Sequence, residues 1–405
     1  MEETVISLVG GGVTAPAGFT AAGVAAGIKR SGSDLAVLHA SAPCAAAGVF
    51  TRNRVKAAPV LLAMERLTGG AGTARTVVAN SGNANACTGP QGLADARACA
   101  REAGRLLGVP EEQVLVASTG VIGVPLPLSK AIQGLEAACR QLSREGGAAA
   151  ARAIMTTDTR AKERAAAFTL GGRTVKVGGM AKGSGMIHPD MATMLCFLTT
   201  DAPVEARDLH AILAAAVGDT FNMITVDGDT STNDMVLCLA SGAAGGSPLT
   251  RGAGLDFLEA ALRLVCRELA RDCASDGEGA RHLITVEVAG AASTGDARTC
   301  ARAIAASSLV KTAVAGADAN WGRVLCAAGY SGAAFDPDRA AVWLGDLPVA
   351  AGGAALPFDE DRARTILRRP EVTIRVDLGA GPYSACAWGC DLTEEYVSIN
   401  ASYRS

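Results

Sequence analysis

Apolar residues recur with a period near 3.6 at about 92–108 (Leu93, Ala96, Ala100, Ala103, Leu107), 128–145 (Ile132, Leu135, Cys139, Leu142) and 205–217 (Leu209, Ile212, Leu213, Ala216). The same spacing returns at 255–271 and 359–368, and it predicts amphipathic helices. Between them lie short β-rich runs: TVVAN at 76–80, QVLVAS at 113–118, VKVGGM at 175–180, MLCFLTT at 194–200, MVLCLA at 235–240, LITVEVAG at 283–290 and EVTIRVDLG at 371–379. These predict strands. The alternation predicts layered α/β or α+β architecture. No repeat of fixed period and no low-complexity linker divides the chain, and REGGAAAARA at 144–153 and SGAAGGSPLTRGAG at 241–254 read as exposed connections.

Composition narrows the class. The 405 residues are 49% hydrophobic, enough for one large or two ordinary globular domains. With 48 glycines and 4% aromatics, the interior is expected to be built from small side chains that let backbones approach. The 37 Lys+Arg and 40 Asp+Glu are scattered and leave a net charge of −3, so no basic stripe points to nucleic acid. A small metabolite is the better fit. The acidic start MEETVISLVGGG does not look like a leader, and no apolar run nears the ~18 residues of a membrane span, so the expected location is the cytoplasm. Of the 12 cysteines, Cys44, Cys99, Cys139, Cys266 and Cys326 sit in Ala- and Leu-rich surroundings, and Cys386 and Cys390 have neither metal nor thioredoxin spacing. They read as reduced core residues. There is no GK dipeptide for a Walker A loop and no HExxH, and Gly10 to Gly12 read as a turn.

Polar residues gather beside glycine in VANSGNANACTG (78–89), VASTGVIG (116–123), KGSGMIHPDMATML (182–195), FNMITVDGDTSTND (221–234) and DGEGARH (276–282), with GADANWGRV (316–324) as a further cluster. Thr119 and Gly120 close a predicted strand, where a hydroxyl and a backbone N–H can meet developing charge on a carbonyl oxygen. Taken alone, a turn with a self-satisfied threonine is the plainer reading. The aspartates of VDGDTSTND bring a divalent metal to mind, but the cluster lacks the EF-hand glutamate and a nearby histidine pair, so a structural turn is expected and no metal. Glu278, between two glycines after a helix, suits a substrate ammonium or a solvated loop. Lys182 suits a carboxylate or a surface, and His188 before proline reads as a loop residue rather than a base.

Thr193 follows Ala192 at the head of an apolar run. A threonine hydroxyl is a poor nucleophile without a base, and the nearest base is its own α-amine, whose pKa near 7.7–8.0 leaves a useful neutral fraction at pH 7. An internal threonine lacks that amine. Attack of Oγ on the Ala192 carbonyl, an N-to-O acyl shift and hydrolysis of the ester would create it. A β-branched strand residue is the competing reading.

KGSGMIHPDMATML, with VASTGVIG, MTTDT (155–159), DGEGA (276–280), GADANWGRV and the terminal YVSINASYRS, resembles the ornithine acetyltransferase family, also called bifunctional glutamate N-acetyltransferase/amino-acid acetyltransferase of arginine biosynthesis. The likeness runs from PAGFTAAGVAAGIK to the last residue. It implies autocatalytic cleavage between Ala192 and Thr193, giving an α chain of 1–192 and a β chain of 193–405 that form one catalytic unit in an α2β2 heterotetramer. It implies Thr193 as nucleophile, Thr119 and Gly120 as oxyanion stabilisers, and Thr156, Lys182, Glu278, Asn400 and Ser405 as substrate contacts. The implied fold is a layered α/β sandwich similar to self-processing aminopeptidases among N-terminal-nucleophile folds. Ser405 stands where the family often has Thr, Asp190 where many members have Asn, and in MTTDT Thr157 competes with Thr156.

The implied reaction is ping-pong acetyl transfer from N2-acetyl-L-ornithine to L-glutamate with no metal or organic cofactor, acetyl-CoA being a candidate co-substrate. Two alternatives differ in kind. A self-processed amidohydrolase or aminopeptidase would pass the acyl group to water, and a non-catalytic small-molecule binder would need no cut.

Overall fold

The structure, a computed structural model, describes residues 5–188 and 194–402. The chain runs through β1 (Ser7–Val9), β2 (Phe19–Val24), β3 (Leu35–Phe50), α1 (Ala58–Arg66), β4 (Ala71–Asn83), α2 (Gly89–Leu107), β5 (Val114–Val121), α3 (Leu128–Arg140), α4 (Gly147–Ala153), β6 (Lys162–Leu170) and β7 (Arg173–Lys182). Then come β8 (Leu195–Thr200), α5 (Ala206–Asp219), β9 (Ile224–Thr225), β10 (Met235–Ala240), α6 (Leu255–Ser275), β11 (Leu283–Ala291), α7 (Thr294–Ala306), α8 (Ser308–Ala315) and α9 (Trp321–Gly329). The chain ends with β12 (Ala341–Leu344), β13 (Leu347–Ala351), β14 (Ala354–Ala355), α10 (Glu360–Leu367), β15 (Glu371–Asp377), β16 (Tyr383–Cys390) and α11 (Glu394–Ser402).

Among the described residues the strands form two mixed sheets, so the expected α/β layering is what the chain adopts. The first orders its strands β1-β6-β7-β8-β10-β3-β4-β5 with β2 beside β3, and the second β14-β13-β12-β15-β11-β16-β9. The position of β8 matters most for function. It runs antiparallel to β7, with Leu195 opposite Lys182, and parallel to β10, with Leu195 opposite Met235. Strands from before and after residue 193 therefore share one sheet.

Burial explains why 194–198 reads as an unbroken apolar run. Leu195 and Phe197 face a cluster with Leu38, Val77 and Leu115, while Cys196 and Leu198 face another with Leu209, Ile212 and Leu262. A strand covered on both faces loses the polar half of its alternation, and each large side chain so buried contributes about 1.5–3 kcal/mol. Helix α6 lays Leu258, Leu262, Val265 and Leu269 against β6 and β7 and also meets β11 and β16, which places it between the sheets. Helices α2 and α3 cover the β2–β5 region through Ala96, Ala100, Ala103 and Leu135.

Three expectations change. The segment 144–153 is not an exposed connection: α4 buries Ala150, Ala151 and Ala153, because Gly23 and Gly146 let its backbone press onto β2, where a Cβ on either would strike a carbonyl oxygen. Helix α3 stops at Arg140 rather than 145, since Ser143 exchanges backbone hydrogen bonds of 2.9 and 3.1 Å with Ala21. Cys326 is exposed, on the outer side of α9, although all 12 cysteines are unpaired. No helix of the described residues is long and apolar enough to cross a membrane.

Candidate active site

The ends of β4 and β5 lie side by side and parallel, with Gly82 opposite Gly120 and a bulge immediately after, where Asn83 pairs with both Thr119 and Val121. Gly120 has φ +128, and a Cβ there would lie 2.4 Å from the Gly82 carbonyl carbon and 2.6 Å from the Asn83 nitrogen. Only glycine fits. The neighbouring asparagines are buried and act as scaffold. Ser118 Oγ donates to Asn80 Oδ1 at 2.6 Å, Asn80 Nδ2 to the Asn83 carbonyl at 2.9 Å, and Asn83 Nδ2 to the Val124 carbonyl at 3.0 Å. Asn233 ties the DTSTND loop to the same place, donating to the carbonyls of Ala84 at 2.6 Å and Ser118 at 2.8 Å. The polar run 78–89 thus fixes the turn that carries Thr119.

Lys182 ends β7 with its side chain buried and its Nζ 3.4 Å from Thr119 Oγ1. Beneath it, Lys162 is fully enclosed and donates to Asp158 and Asp276, each at 2.6 Å. Asp158 also accepts the N–H of Gly183 at 2.7 Å and of Thr156 at 3.0 Å, so one carboxylate holds both KGSG and MTTDT. Asp276 accepts the Thr159 hydroxyl and, at 3.1 Å, its N–H. Burial alone would raise the Asp158 carboxyl, but Lys182 and Lys162 outweigh it and hold it down at about 2. For Lys162 the same balance runs the other way: desolvation lowers it, the carboxylates prevail, and the ammonium is held above its ordinary range. A buried network with every member paired rigidifies what it touches, here the first residues after β7.

The segment that leads toward residue 193 is clamped from a second side. Asp227 accepts the N–H groups of Met186 at 2.6 Å and Ile187 at 2.9 Å, and Met186 is held at φ +55. Burial pushes the Asp227 carboxyl up despite these bonds. Glu278 is buried, packs against Gly185, and its Oε2 accepts from Asn400 Nδ2 at 2.7 Å. Burial, Asp227 and Glu278 together push the Tyr396 phenol up.

These groups enclose a cavity of about 230 Å3. Thr119, Gly120, Thr156, Lys182, Glu278 and Asn400 all line it. Thr157 lines it too, so both threonines of MTTDT reach the site. Ala192, Thr193 and Ser405, and Asp190 as well, lie outside the described residues, but Met194 lines the cavity. His188 is engaged elsewhere, with Nδ1 3.0 Å from Thr225 Oγ1 and Nε2 3.0 Å from Arg302. GADANWGRV opens α9, where Asn320 Oδ1 caps the helix by accepting from the Arg323 N–H at 3.3 Å.

Sequence reasoning did not single out Asp158, Lys162, Asp276, Asp234 or Tyr396. Asp158 and Asp276 sit inside motifs already noted, MTTDT and DGEGARH, whereas Lys162 stands in an unremarkable KER and gave no signal. Chemically, a hydroxyl and a glycine on a bulged strand end suit a developing oxyanion, a buried cation suits a substrate carboxylate, and the carboxylates suit an ammonium.

The ArgJ family model matches residues 20–405. Over 399 residues the chain is 57% identical to the arginine biosynthesis bifunctional protein ArgJ of Symbiobacterium thermophilum, covering 98% of this chain and 99% of that protein. It is 49% identical over 405 residues to the arginine biosynthesis bifunctional protein ArgJ of Caldanaerobacter subterraneus, covering 99% and 100%. The solved arginine biosynthesis bifunctional protein ArgJ of Bacillus halodurans is similar at 46% identity and a TM-score of 0.50, and that match spans 51% of this chain and 98% of the solved one.

Proposed function

The chain belongs to the ArgJ family, acyltransferases of arginine biosynthesis, and on that premise we propose that it carries acetyl from N2-acetyl-L-ornithine to L-glutamate on the hydroxyl of Thr193. The observation that carries this reading is the convergence of Thr119, Gly120, Lys182, Glu278 and Asn400 on one cavity that Met194, the residue bonded to Thr193, also lines.

In this reading the chain first cuts itself between Ala192 and Thr193. The freed α-amine takes the Oγ proton, Oγ attacks the acetyl carbonyl, and Thr119 with the Gly120 N–H receives the oxyanion. Ornithine leaves with the proton from that amine, and the amine of glutamate attacks the acetyl ester in turn. Lys182 holds the α-carboxylate common to both amino acids. Glu278, steadied by Asn400, faces the cationic side chain of ornithine, and Thr156 and Ser405 complete the contacts. Water and glutamate are both chemically competent to take the acetyl group, so transfer depends on the bound acceptor excluding water.

We assign residues 1–192 and 193–405 to the two chains of one catalytic unit, paired as an α2β2 heterotetramer in the cytoplasm. A solved relative of roughly half this length, matched over 98% of itself, supports the two-chain part of the reading. Unpaired cysteines fit the reducing compartment. The relatives are bifunctional by name, and we extend to this chain a second activity in which acetyl-CoA supplies the acetyl group.

Intact-mass measurement of the denatured wild type and of Thr193→Ala is the direct test. Two fragments meeting at Ala192/Thr193, an uncut variant, and one added acetyl on the second fragment after mixing with acetylornithine are expected. A single full-length wild-type chain that nonetheless transfers acetyl would overturn the assignment. Assay with acetyl-CoA and glutamate, acetylornithine omitted, tests the second activity.

A further inference from the structure

One carboxyl group at the site has no place in the transfer chemistry just described. Asp234 is 2% exposed and lines the cavity, and its Oδ2 has no hydrogen-bond partner among the described residues. A buried polar oxygen left unpaired is destabilising, so its retention calls for a use. Its backbone is firmly placed: the carbonyl accepts from Thr51 N–H at 3.0 Å, and the next residue, Met235, donates to the Met194 carbonyl at 3.0 Å. Because β8 and β10 are parallel with Leu195 opposite Met235, Asp234 and Met194 occupy matching positions one residue before the ladder. In sequence, Thr193 is the residue before Met194, whose place beside the ladder matches that of Asp234.

We propose that Asp234 is the acid that protonates the Thr193 nitrogen as the Ala192–Thr193 bond opens. The proposal rests on the self-cutting reading above and adds the group that makes the amine a leaving group. Thr193 Oγ attacks the Ala192 carbonyl carbon and its proton passes to water. As the C–N bond breaks and the C–Oγ ester remains, the Asp234 Oδ2 proton moves to nitrogen. Water then hydrolyses the ester, giving the Ala192 carboxylate and restoring the Oγ–H. The amine takes up a proton to become an ammonium beside the Asp234 carboxylate, and one proton in all is released to solvent.

The surroundings suit a group that enters this step neutral. Desolvation raises the Asp234 carboxyl well above the usual range, with Ser231 hydrogen bonding and the charge of Lys182 acting against it. Lys182 reaches the site from β7, Asp227 and Asp229 share its own loop, and Glu278 and Tyr396 face the cavity from the segment after α6 and from α11.

The test follows cutting of pulse-labelled full-length precursor across pH, for wild type, Asp234→Asn and Asp234→Glu. The amide keeps the shape and cannot give up a proton, so cutting should slow by about 100-fold, the low end of general-acid catalysis. The wild-type rate should decline on the alkaline side, where Asp234 ionises, the amide variant should lack that decline, and glutamate should restore part of the rate. An amide variant that cuts at the wild-type rate with the wild-type pH profile overturns the proposal. If that variant does not fold, the wild-type profile decides, and a rate still rising through pH 10 overturns it. A wild-type chain that never cuts sinks the Thr193 reading instead, a distinguishable result.

Discussion

Gly120→Ala is the substitution whose consequences the structure fixes most tightly. An alanine Cβ would lie 2.4 Å from the carbonyl carbon of Gly82 and 2.6 Å from Asn83 N, both backbone atoms that cannot rotate away. Carbon atoms rest at about 3.5–4.0 Å, so the strand ends must part by roughly 1 Å. A non-glycine residue at φ +128 adds strain of its own. Backbone strain of about 1–3 kcal/mol and overpacking of about 1–3 kcal/mol together lower stability by roughly 2–6 kcal/mol. For a chain of this length that is a fall in Tm of roughly 2–7 °C. The catalytic loss should be larger in proportion, because the same movement withdraws the Gly120 N–H and Thr119 from the oxyanion they are proposed to hold, and loss of one such donor costs about 100–1,000-fold in kcat. Gly123→Ala is the matched control, since Gly123 also has positive φ, +79, but nothing within 4 Å of a Cβ. It should cost about 1 kcal/mol and leave acetyl transfer intact. Thermal melts and steady-state acetyl transfer on both variants separate strain from clash. If Gly120→Ala matched Gly123→Ala in kcat, the oxyanion role would be refuted even if its Tm fell as expected.

Truncating Lys182 to alanine should raise KM for acetylornithine and for glutamate together, each by about 10–100-fold for the loss of a charge-assisted hydrogen bond; unchanged KM for either substrate would remove Lys182 from the carboxylate role. The Asp158–Lys162–Asp276 network should show in acid. Asp158 is depressed to about 2 in the folded chain, so its contribution is present above its unfolded pKa near 3.9 and is lost as pH falls through 2. Urea unfolding should therefore lose about 2 kcal/mol between pH 4 and pH 2 from this group. Lys162→Met should destabilise by about 3–5 kcal/mol at neutral pH by leaving two carboxylates buried without their cation, and a smaller loss would mean that water reaches the triad.

Much of the fold was legible because its buried strands are rich in branched residues. β10 falls where MVLCLA predicted it, and β7, β11 and β15 lie within two residues of their expected ends. The longest strand, β3, escaped notice. Six of the 16 residues of LAVLHASAPCAAAGVF are alanine, which fits helix and strand alike, and continuous burial over Leu35–Leu38 and Ala46–Val49 leaves no alternation to read. The same composition turned α4 into an apparent loop. At the site, motifs with glycine and hydroxyl residues announced themselves, whereas Lys162 did not. A lysine reads as surface until two carboxylates distant in sequence are shown to meet it, and spacing along the chain carries no information about that.

The way the site is divided bears on how a cut chain stays whole. Thr119, Gly120, Thr156 and Lys182 precede residue 193, and Glu278, Asn400 and Asp234 follow it, so neither piece alone holds both the lysine and the carboxylates of the cavity. The pieces are joined where function requires rigidity. β7 pairs with β8 from Val177–Thr200 to Lys182–Leu195, Asn233 is bonded to Ser118 and Ala84, and Lys162 is bonded to Asp276. None of these contacts passes through the Ala192–Thr193 bond. Breaking that bond would thus leave β7 and β8 joined through the sheet, with Lys182 still opposite Leu195. An intermolecular nucleophile would have to be positioned anew for each turnover, whereas one joined in sequence to β8, as proposed for Thr193, would be held by the chain itself.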